Sequence, residues 1–324
     1  MTIRRPKKDG PVAELTQYVY GPVPSRRLGR SLGVDLIPFK TCTYDCIYCQ
    51  LGPTPNRTLR RDVYVPVDAV LADVERRLAE LDSPPDYVTL AGSGEPTLHA
   101  RLGRLAAEIR RRTDVPVALL TNGSLLSKPA VADAAAEADL VVPSLDAGTG
   151  AMWRRVNRPH PDLDWEIMLD GLESFTRRFG GRVWLEVMLL EGITGAEMAV
   201  SAIALLAEQI RPDRIQLNTA VRPAAEANVE AVPRERLEAL ARRFNPPAEV
   251  VAEFRQPADQ EGAATPDDVL DLLFRRPCSA KDVADGLGVA PNEAVKLIDE
   301  LTAAGRARAV RRDGGVFYAA REEG

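Results

Sequence analysis

Six times between residues 31 and 244, a short apolar run is followed by a longer stretch whose apolar side chains recur at helical spacing. The short runs cover residues 31–37, 87–91, 115–120, 140–143, 183–190 and 214–218. The longer stretches cover residues 67–81, 98–112, 128–138, 163–179, 196–210 and 234–244. Short apolar segments between turn residues read as buried strands, and spacings of three and four read as amphipathic helices. Strict alternation demands a parallel sheet with right-handed crossovers, because parallel neighbours need a long return that buries its apolar face on the sheet. Two α/β architectures satisfy this period, an open doubly wound sheet and a barrel. Both gather ligands at the carboxyl ends of the strands.

The loop after the first strand carries the plainest chemistry. Three of the four cysteines fall in Cys42-Thr43-Tyr44-Asp45-Cys46-Ile47-Tyr48-Cys49. Thiolates on one short loop can converge on an iron–sulfur cluster, and three of them leave one iron of a 4Fe–4S cluster open. Structural zinc wants four protein ligands, and Cys278 lies far down the chain. Chance clustering of buried thiols fits poorly with so few cysteines.

Other strand ends carry polar groups. They are Gly92-Ser-Gly-Glu-Pro-Thr97, Thr121-Asn-Gly-Ser124, Pro143-Ser-Leu-Asp146 and Gln216-Leu-Asn218, the last running on to Arg222. Each also has a plain reading as a turn or helix cap. Glu186 interrupts an apolar strand, so it points inward or pairs with a cation. His99 reads as a helix-start residue. Met152-Trp-Arg-Arg-Val-Asn-Arg-Pro-His-Pro161 reads as a loop at the mouth, offering Arg154, Arg155 and Arg158 to an anion and Trp153 to a ring. The sober alternative is a solvated arginine face with Trp153 in the core.

Charge supports an anionic partner. The chain carries −5 overall, but residues 1–61 hold eleven Lys or Arg against four Asp or Glu, a net of +7. Arg4, Arg5, Lys7 and Lys8 read as a solvated tail, within a lead-in of residues 1–19. Arg26, Arg27, Arg30, Arg57, Arg60 and Arg61 flank the cysteine loop. No apolar run approaches the roughly 20 residues of a membrane span. No secretory signal is visible, and clustered reduced cysteines point to the cytoplasm.

The cysteine spacing, with aromatic Tyr48 directly before Cys49, resembles the signature of the radical S-adenosylmethionine (radical SAM) superfamily. The resemblance implies a partial (β/α)6 barrel over residues 20–255, with a 4Fe–4S cluster on Cys42, Cys46 and Cys49 and SAM on the open iron. Tyr48 would lie near the adenine, and the Gly94-Glu95 turn would receive the amino group of SAM. Ser93 stands where a second glycine is commoner. Asn122 would sit at the site floor, and Ser144 with Asp146 would face the ribose. The implied reaction is reductive cleavage of SAM to a 5′-deoxyadenosyl radical, which abstracts hydrogen from substrate. It needs a one-electron donor such as flavodoxin or ferredoxin. Tyr20-Gly-Pro-Val-Pro-Ser-Arg-Arg, Pro38-Phe-Lys-Thr-Cys42, Tyr48-Cys-Gln-Leu-Gly52 and Leu217-Asn-Thr resemble the branch of the wyosine tRNA-modifying (imidazoguanine-type) synthases. Those enzymes need further cysteines for a second cluster, which this sequence lacks. An anionic substrate, with RNA and tRNA in particular as the candidate, follows, and Arg26, Arg27, Arg154, Arg155, Arg158 and Arg222 are its candidate contacts.

After a linker at residues 256–264, residues 265–324 read as three helices (267–275, 280–286, 291–304) and a strand pair (307–310, 316–318). This order resembles a winged helix. From Thr265 onward there are nine Lys or Arg against eleven Asp or Glu, a net of −2, whereas a DNA-reading module should be basic. Docking a partner or presenting a substrate fits better than specific DNA binding. Two rival functions stand beside the main one: modification of a protein or peptide, and a non-enzymatic Fe–S-sensing regulator on DNA. A SAM-binding strand end favours the enzyme.

Overall fold

The computed structural model describes residues 18–25, 27–221, 224–251, 264–287, 289, 291–312 and 315–321. An antiparallel hairpin of β1 (Val19–Ser25) and β2 (Gly29–Asp35) leads into the cysteine loop, which contains the small parallel pair β3 (Thr41–Cys42) and β4 (Asn56–Arg57). Then follow α1 (Val67–Ala79), β5 (Tyr87–Ala91), α2 (Leu102–Arg112), β6 (Val117–Thr121), α3 (Pro129–Ala135), β7 (Leu140–Pro143), α4 (Gly150–Val156), α5 (Trp165–Arg178), β8 (Arg182–Leu189), α6 (Glu197–Ile210), β9 (Arg214–Thr219), α7 (Arg234–Ala241) and β10 (Glu249–Val250).

The large sheet has the order β1-β2-β5-β6-β7-β8-β9-β10 and is parallel from β2 to β10. A doubly wound sheet reverses its strand order at a switch point. Here each crossover advances one step the same way, which puts the helices on one face. Strand order thus decides what periodicity left open: an α/β, singly wound partial (β/α)6 barrel with β1 and β10 at its edges.

Alternation along each strand sorts the side chains. Outward residues pack with the helices in the main core, as Leu119, Val141 and Leu185 do against Leu105, Ile109 and Leu172. Inward residues change character along the strand. Ala118, Leu140, Val142 and Trp184 form an apolar plug with Leu28. One or two pairs of residues further on, the inward positions are Asn122, Ser144, Glu186 and Asn218, all facing a cavity. Apolar packing closes one end of the barrel, and polar groups line the other.

Two elements differ from the sequence expectation. The turn-rich segment before β2 is itself a strand, and its prolines are tolerated because β1 is an edge with a register shift between Tyr20 and Val23. Half of the expected arginine loop is helix α4, started by Thr149, whose hydroxyl accepts from Met152 N at 3.2 Å.

The C-terminal unit comprises α8 (Pro266–Arg275), α9 (Ala280–Leu287), α10 (Pro291–Ala303) and the antiparallel pair β11 (Ala307–Arg312) and β12 (Gly315–Ala320). Val269, Leu273, Val283, Ile298 and Leu301 form its own core. Val23 of β1 is packed against that core, and α9 contacts β1. An exposed sheet edge is a liability, and this unit covers one. Cys278 is buried there, and its backbone N–H and carbonyl both pair with Tyr318. Most of the expected linker and lead-in lies outside the described residues. Among those described, no helix is long and apolar enough to cross a membrane.

Candidate active site

The cysteine loop is fixed from two sides. On one, the loop after α4 receives it: Asp45 N donates to Asn157 O at 3.0 Å, Ile47 N to Val156 O at 3.0 Å, and Thr43 O accepts from His160 N at 2.8 Å. Trp153 locks this contact. Its indole N–H donates to Tyr44 Oη at 3.1 Å, its ring meets Tyr44 edge-on, and Trp165 lies behind it at 5.5 Å. Trp153→Ala is expected to cost about 3–5 kcal/mol, the range for a buried large aromatic, read as a lower denaturation midpoint with a looser cysteine loop.

On the other side lies the turn after β5. Lys40 N donates to Ser93 O at 2.7 Å, and Glu95 N to Thr41 O at 3.1 Å. The backbones run so close that a Cβ on Gly94 would stand 2.0 Å from Thr41 O, so only glycine fits. Gly92 has φ +122°, and a Cβ there would meet Asp35 Oδ1 at 2.0 Å. Ser93 has its own use: its hydroxyl donates to buried Asp35 at 2.6 Å.

Glu95 is buried under four donors. Oε1 accepts from Thr97 N at 3.1 Å, Thr97 Oγ1 at 2.6 Å and Thr121 Oγ1 at 2.6 Å, while Oε2 accepts from Asn122 N at 2.8 Å. Burial raises its pKa, against the pull of these donors. Oε2, with one partner, keeps room for another donor. Asn122 is a strut: its Nδ2 donates to Thr43 Oγ1 at 2.7 Å and approaches Cys42 Sγ at 3.6 Å.

At the end of β7, Asp146 accepts from Tyr48 Oη, from Asn157 Nδ2 at 2.7 Å and from Met188 N at 3.0 Å. Burial lifts its carboxyl to about 6, the three donors opposing. Tyr48 is thereby tied to the opposite strand end. Ser144, two residues earlier, lines the cavity and its hydroxyl has no partner among the described residues.

A cavity of about 360 Å³ adjoins another of about 300 Å³ at the carboxyl ends of the strands. Arg27, Cys42, Gln50, Ser144, Glu186, Asn218 and Arg276 line both. Arg27 Nη1 donates to Glu186 Oε2 at 2.6 Å, and Asn218 Nδ2 to Glu186 Oε1 at 3.0 Å. This resolves the inward glutamate of β8 as a paired charge.

The other flanking arginines have local duties. Arg30 reaches Ser83, Arg57 donates to Arg158 O at 3.0 Å, Arg60 pairs with Asp62, and Arg61 donates to Thr97 O at 3.0 Å. Arg154 and Arg155 are exposed on α4, Arg158 pairs with Glu226, and none of the three lines the cavity. Arg26 and Arg222 lie outside the described residues. His99 is buried, its Nε2 at 3.1 Å from Val65 O.

Sequence reasoning missed Lys40, Asn157 and Arg276. The first two reveal how the thiols are set up. Lys40 Nζ donates to Cys49 Sγ at 3.1 Å, and Asn157 Nδ2 approaches Cys46 Sγ at 3.5 Å. With Asn122 beside Cys42, each sulfur has its own N–H neighbour, a donor set suited to thiolates bonded to iron. Burial, and then the charge of Glu95, pushes the Cys42 thiol up to about 12, and burial also raises Cys46 well above its ordinary value. Such sulfurs ionise only against strong positive charge, which cluster iron supplies. Among the described residues no three His, Cys, Asp or Glu side chains are placed to hold a single metal ion.

Thiols with these donors, on the loop after the first parallel strand of an open barrel and beside a glycine–glutamate strand end, define a protein built for an iron–sulfur cluster with a small-molecule ligand. The chain belongs to the radical SAM superfamily, which its residues 36–202 match, and whose members use a 4Fe–4S cluster and S-adenosylmethionine. A UPF0026 protein of Methanocaldococcus jannaschii is 32% identical over 306 residues, covering 92% of this chain and 94% of that one. GTPase Obg of Brachyspira hyodysenteriae is 36% identical over 308 residues, 94% of this chain. The chain spans only 45% of that relative's length. A radical SAM methyltransferase from Sphaerobacter thermophilus shares the fold, with TM-score 0.50 and 17% identity over 68% of this chain and 65% of that structure.

Proposed function

We propose that this protein cleaves SAM reductively and acts on an anionic substrate, with RNA, tRNA in particular, as the candidate. One observation carries the reading: the cysteine loop and the Glu95 turn are bonded to each other and open on the same cavity. When bound, the reduced cluster and SAM supply a 5′-deoxyadenosyl radical that takes hydrogen from the substrate. Cys42, Cys46 and Cys49 would hold iron, Glu95 Oε2 would take the ammonium of SAM, and Ser144 offers a free hydroxyl to the ribose. Asp146, bonded to Tyr48 and Asn157, positions the loop rather than standing free for a ligand. A flavodoxin or ferredoxin in the cytoplasm would serve as electron donor.

RNA is supported by Arg154 and Arg155, exposed on α4, whose following loop is bonded to the cysteine loop. The likeness to the wyosine-type branch supports it as well. With four cysteines in the whole chain, the second cluster of that branch has no ligand set, so a different outcome after hydrogen abstraction is proposed.

Anaerobic reconstitution followed by SAM and reductant tests the core of this. Formation of 5′-deoxyadenosine and methionine is expected, and a fully loaded cluster that yields neither would sink the reading. For RNA, tRNA association should weaken steeply between low and moderate salt, with a slope set by the number of phosphates contacted. Binding that is absent at low salt would remove RNA.

A further inference from the structure

We infer that Arg276, at the end of α8 in the C-terminal unit, is the anion-recognition residue of the active site and takes a carboxylate or phosphate group of the substrate. This rests on the radical SAM reading above. The polar lining of the cavity is otherwise engaged internally. Both oxygens of Glu186 are taken by Arg27 and Asn218. The Asn218 carbonyl accepts from Thr219 N at 2.9 Å. Ser31 and Thr89 bond each other at 2.6 Å, and Ser93 bonds Asp35.

Three lining side chains have no partner among the described residues: Gln50, Ser144 and Arg276. Each can donate, and Arg276 alone is charged. Apart from Glu95 Oε2, the carboxylates of the cavity are satisfied, and its unpartnered side chains can all donate, which selects a ligand rich in acceptors. An unpaired guanidinium on its wall selects an anion, through charge-assisted and often paired bonds.

The position of Arg276 is firmly set. The capping box of Thr265 and Asp268 starts α8, and Val269 and Leu273 root the helix in the C-terminal core. Leu272, one turn before Arg276, lines the cavity as an apolar neighbour. Beyond it, Arg276 O accepts from Cys278 Sγ at 3.5 Å, and Cys278 is bonded to Tyr318 through its backbone. The C-terminal unit therefore contributes a wall to the active site as well as covering β1. Arg276 also lies outside residues 36–202, the part shared with the superfamily. The common cofactor is held by the common part, so a cation added from outside it serves what is particular to this protein, its substrate.

The test uses the full-length, reconstituted, SAM-loaded protein, titrated calorimetrically with inorganic phosphate and, separately, with acetate. One of the two anions should bind, and its identity says which group the site takes. Arg276→Gln should weaken that binding about tenfold, the effect of losing one charge-assisted contact. Arg276→Lys should recover part of it, less for acetate, because the planar fork is lost. Anion affinity should fall far more than SAM affinity, measured on the same samples. The inference is overturned if neither anion binds the wild type, or if Arg276→Gln binds it unchanged. It is equally overturned if SAM affinity falls as much, which would give the guanidinium to the methionine carboxylate. Wild type that binds anion through Arg276 but yields no 5′-deoxyadenosine would count against the proposed reaction and leave this site standing.

Discussion

Cys46→Ser is expected to fold and yet hold almost no iron, with 5′-deoxyadenosine formation falling to background. Cys46 is the thiol for which burial, then repulsion from Asp146 and the other two cysteines, opposes ionisation most broadly. The thiolate forms there only when iron compensates its charge. A serine hydroxyl ionises with far greater difficulty and is the wrong, hard donor for a cluster that prefers thiolate. Iron and sulfide content per chain, with the visible charge-transfer absorbance, reads the loss directly. Cys278→Ala is the internal contrast: it sits in the C-terminal core and should leave iron content unchanged. Full iron content in Cys46→Ser would exclude this sulfur as a ligand.

Glu95→Gln should produce the second large effect, on two readouts at once. Every protein group that faces the Glu95 carboxylate donates: the hydroxyls of Thr97 and Thr121 and the N–H groups of Thr97 and Asn122. An amide must turn an NH₂ toward one of those donors, leaving a buried polar group unsatisfied. The expected loss is about 1–3 kcal/mol of stability. SAM affinity should fall as well, because the oxygen with room for an ammonium loses its charge. Denaturant melts and SAM binding to the loaded protein separate the two. A variant as stable as wild type would mean that the four bonds contribute little. Unchanged SAM affinity would place the ammonium elsewhere.

The arginines show where reading the chain alone reached its limit. Six of them were candidate contacts for an anion, from Arg26 to Arg222, and four more flanked the cysteine loop. In the folded protein Arg61 serves Thr97 O, Arg57 serves Arg158 O and Arg27 is paired with Glu186, while Arg276, passed over as part of a remote module, lines the cavity. Charge along a sequence says that guanidinium groups are near in the chain. It does not say which carbonyl or carboxylate each will find. Trp153 is a similar case: the sequence left it between a ligand's ring and the core, and Tyr44 and Trp165 hold it in the core.

Local order was legible because its causes are local. Helix and strand periods repeat within a few residues, and the boundaries of β5 and β7 coincide with the runs at 87–91 and 140–143. The spacing of Cys42, Cys46 and Cys49 is covalent and needs no fold to be seen. Gly94 and Glu95 stood out as a turn, but the reason for the glycine, a carbonyl of the cysteine loop at Cβ distance, exists only once the two segments meet. By itself the sequence determined the alternation of strand and helix, the spacing of the three cysteines and the superfamily. The tertiary structure decided the strand order that makes the sheet a partial barrel, the N–H neighbour of each sulfur and the arrival of α8 at the cavity. Those depend on contacts between residues tens to hundreds of positions apart, which packing selects and local pattern does not encode.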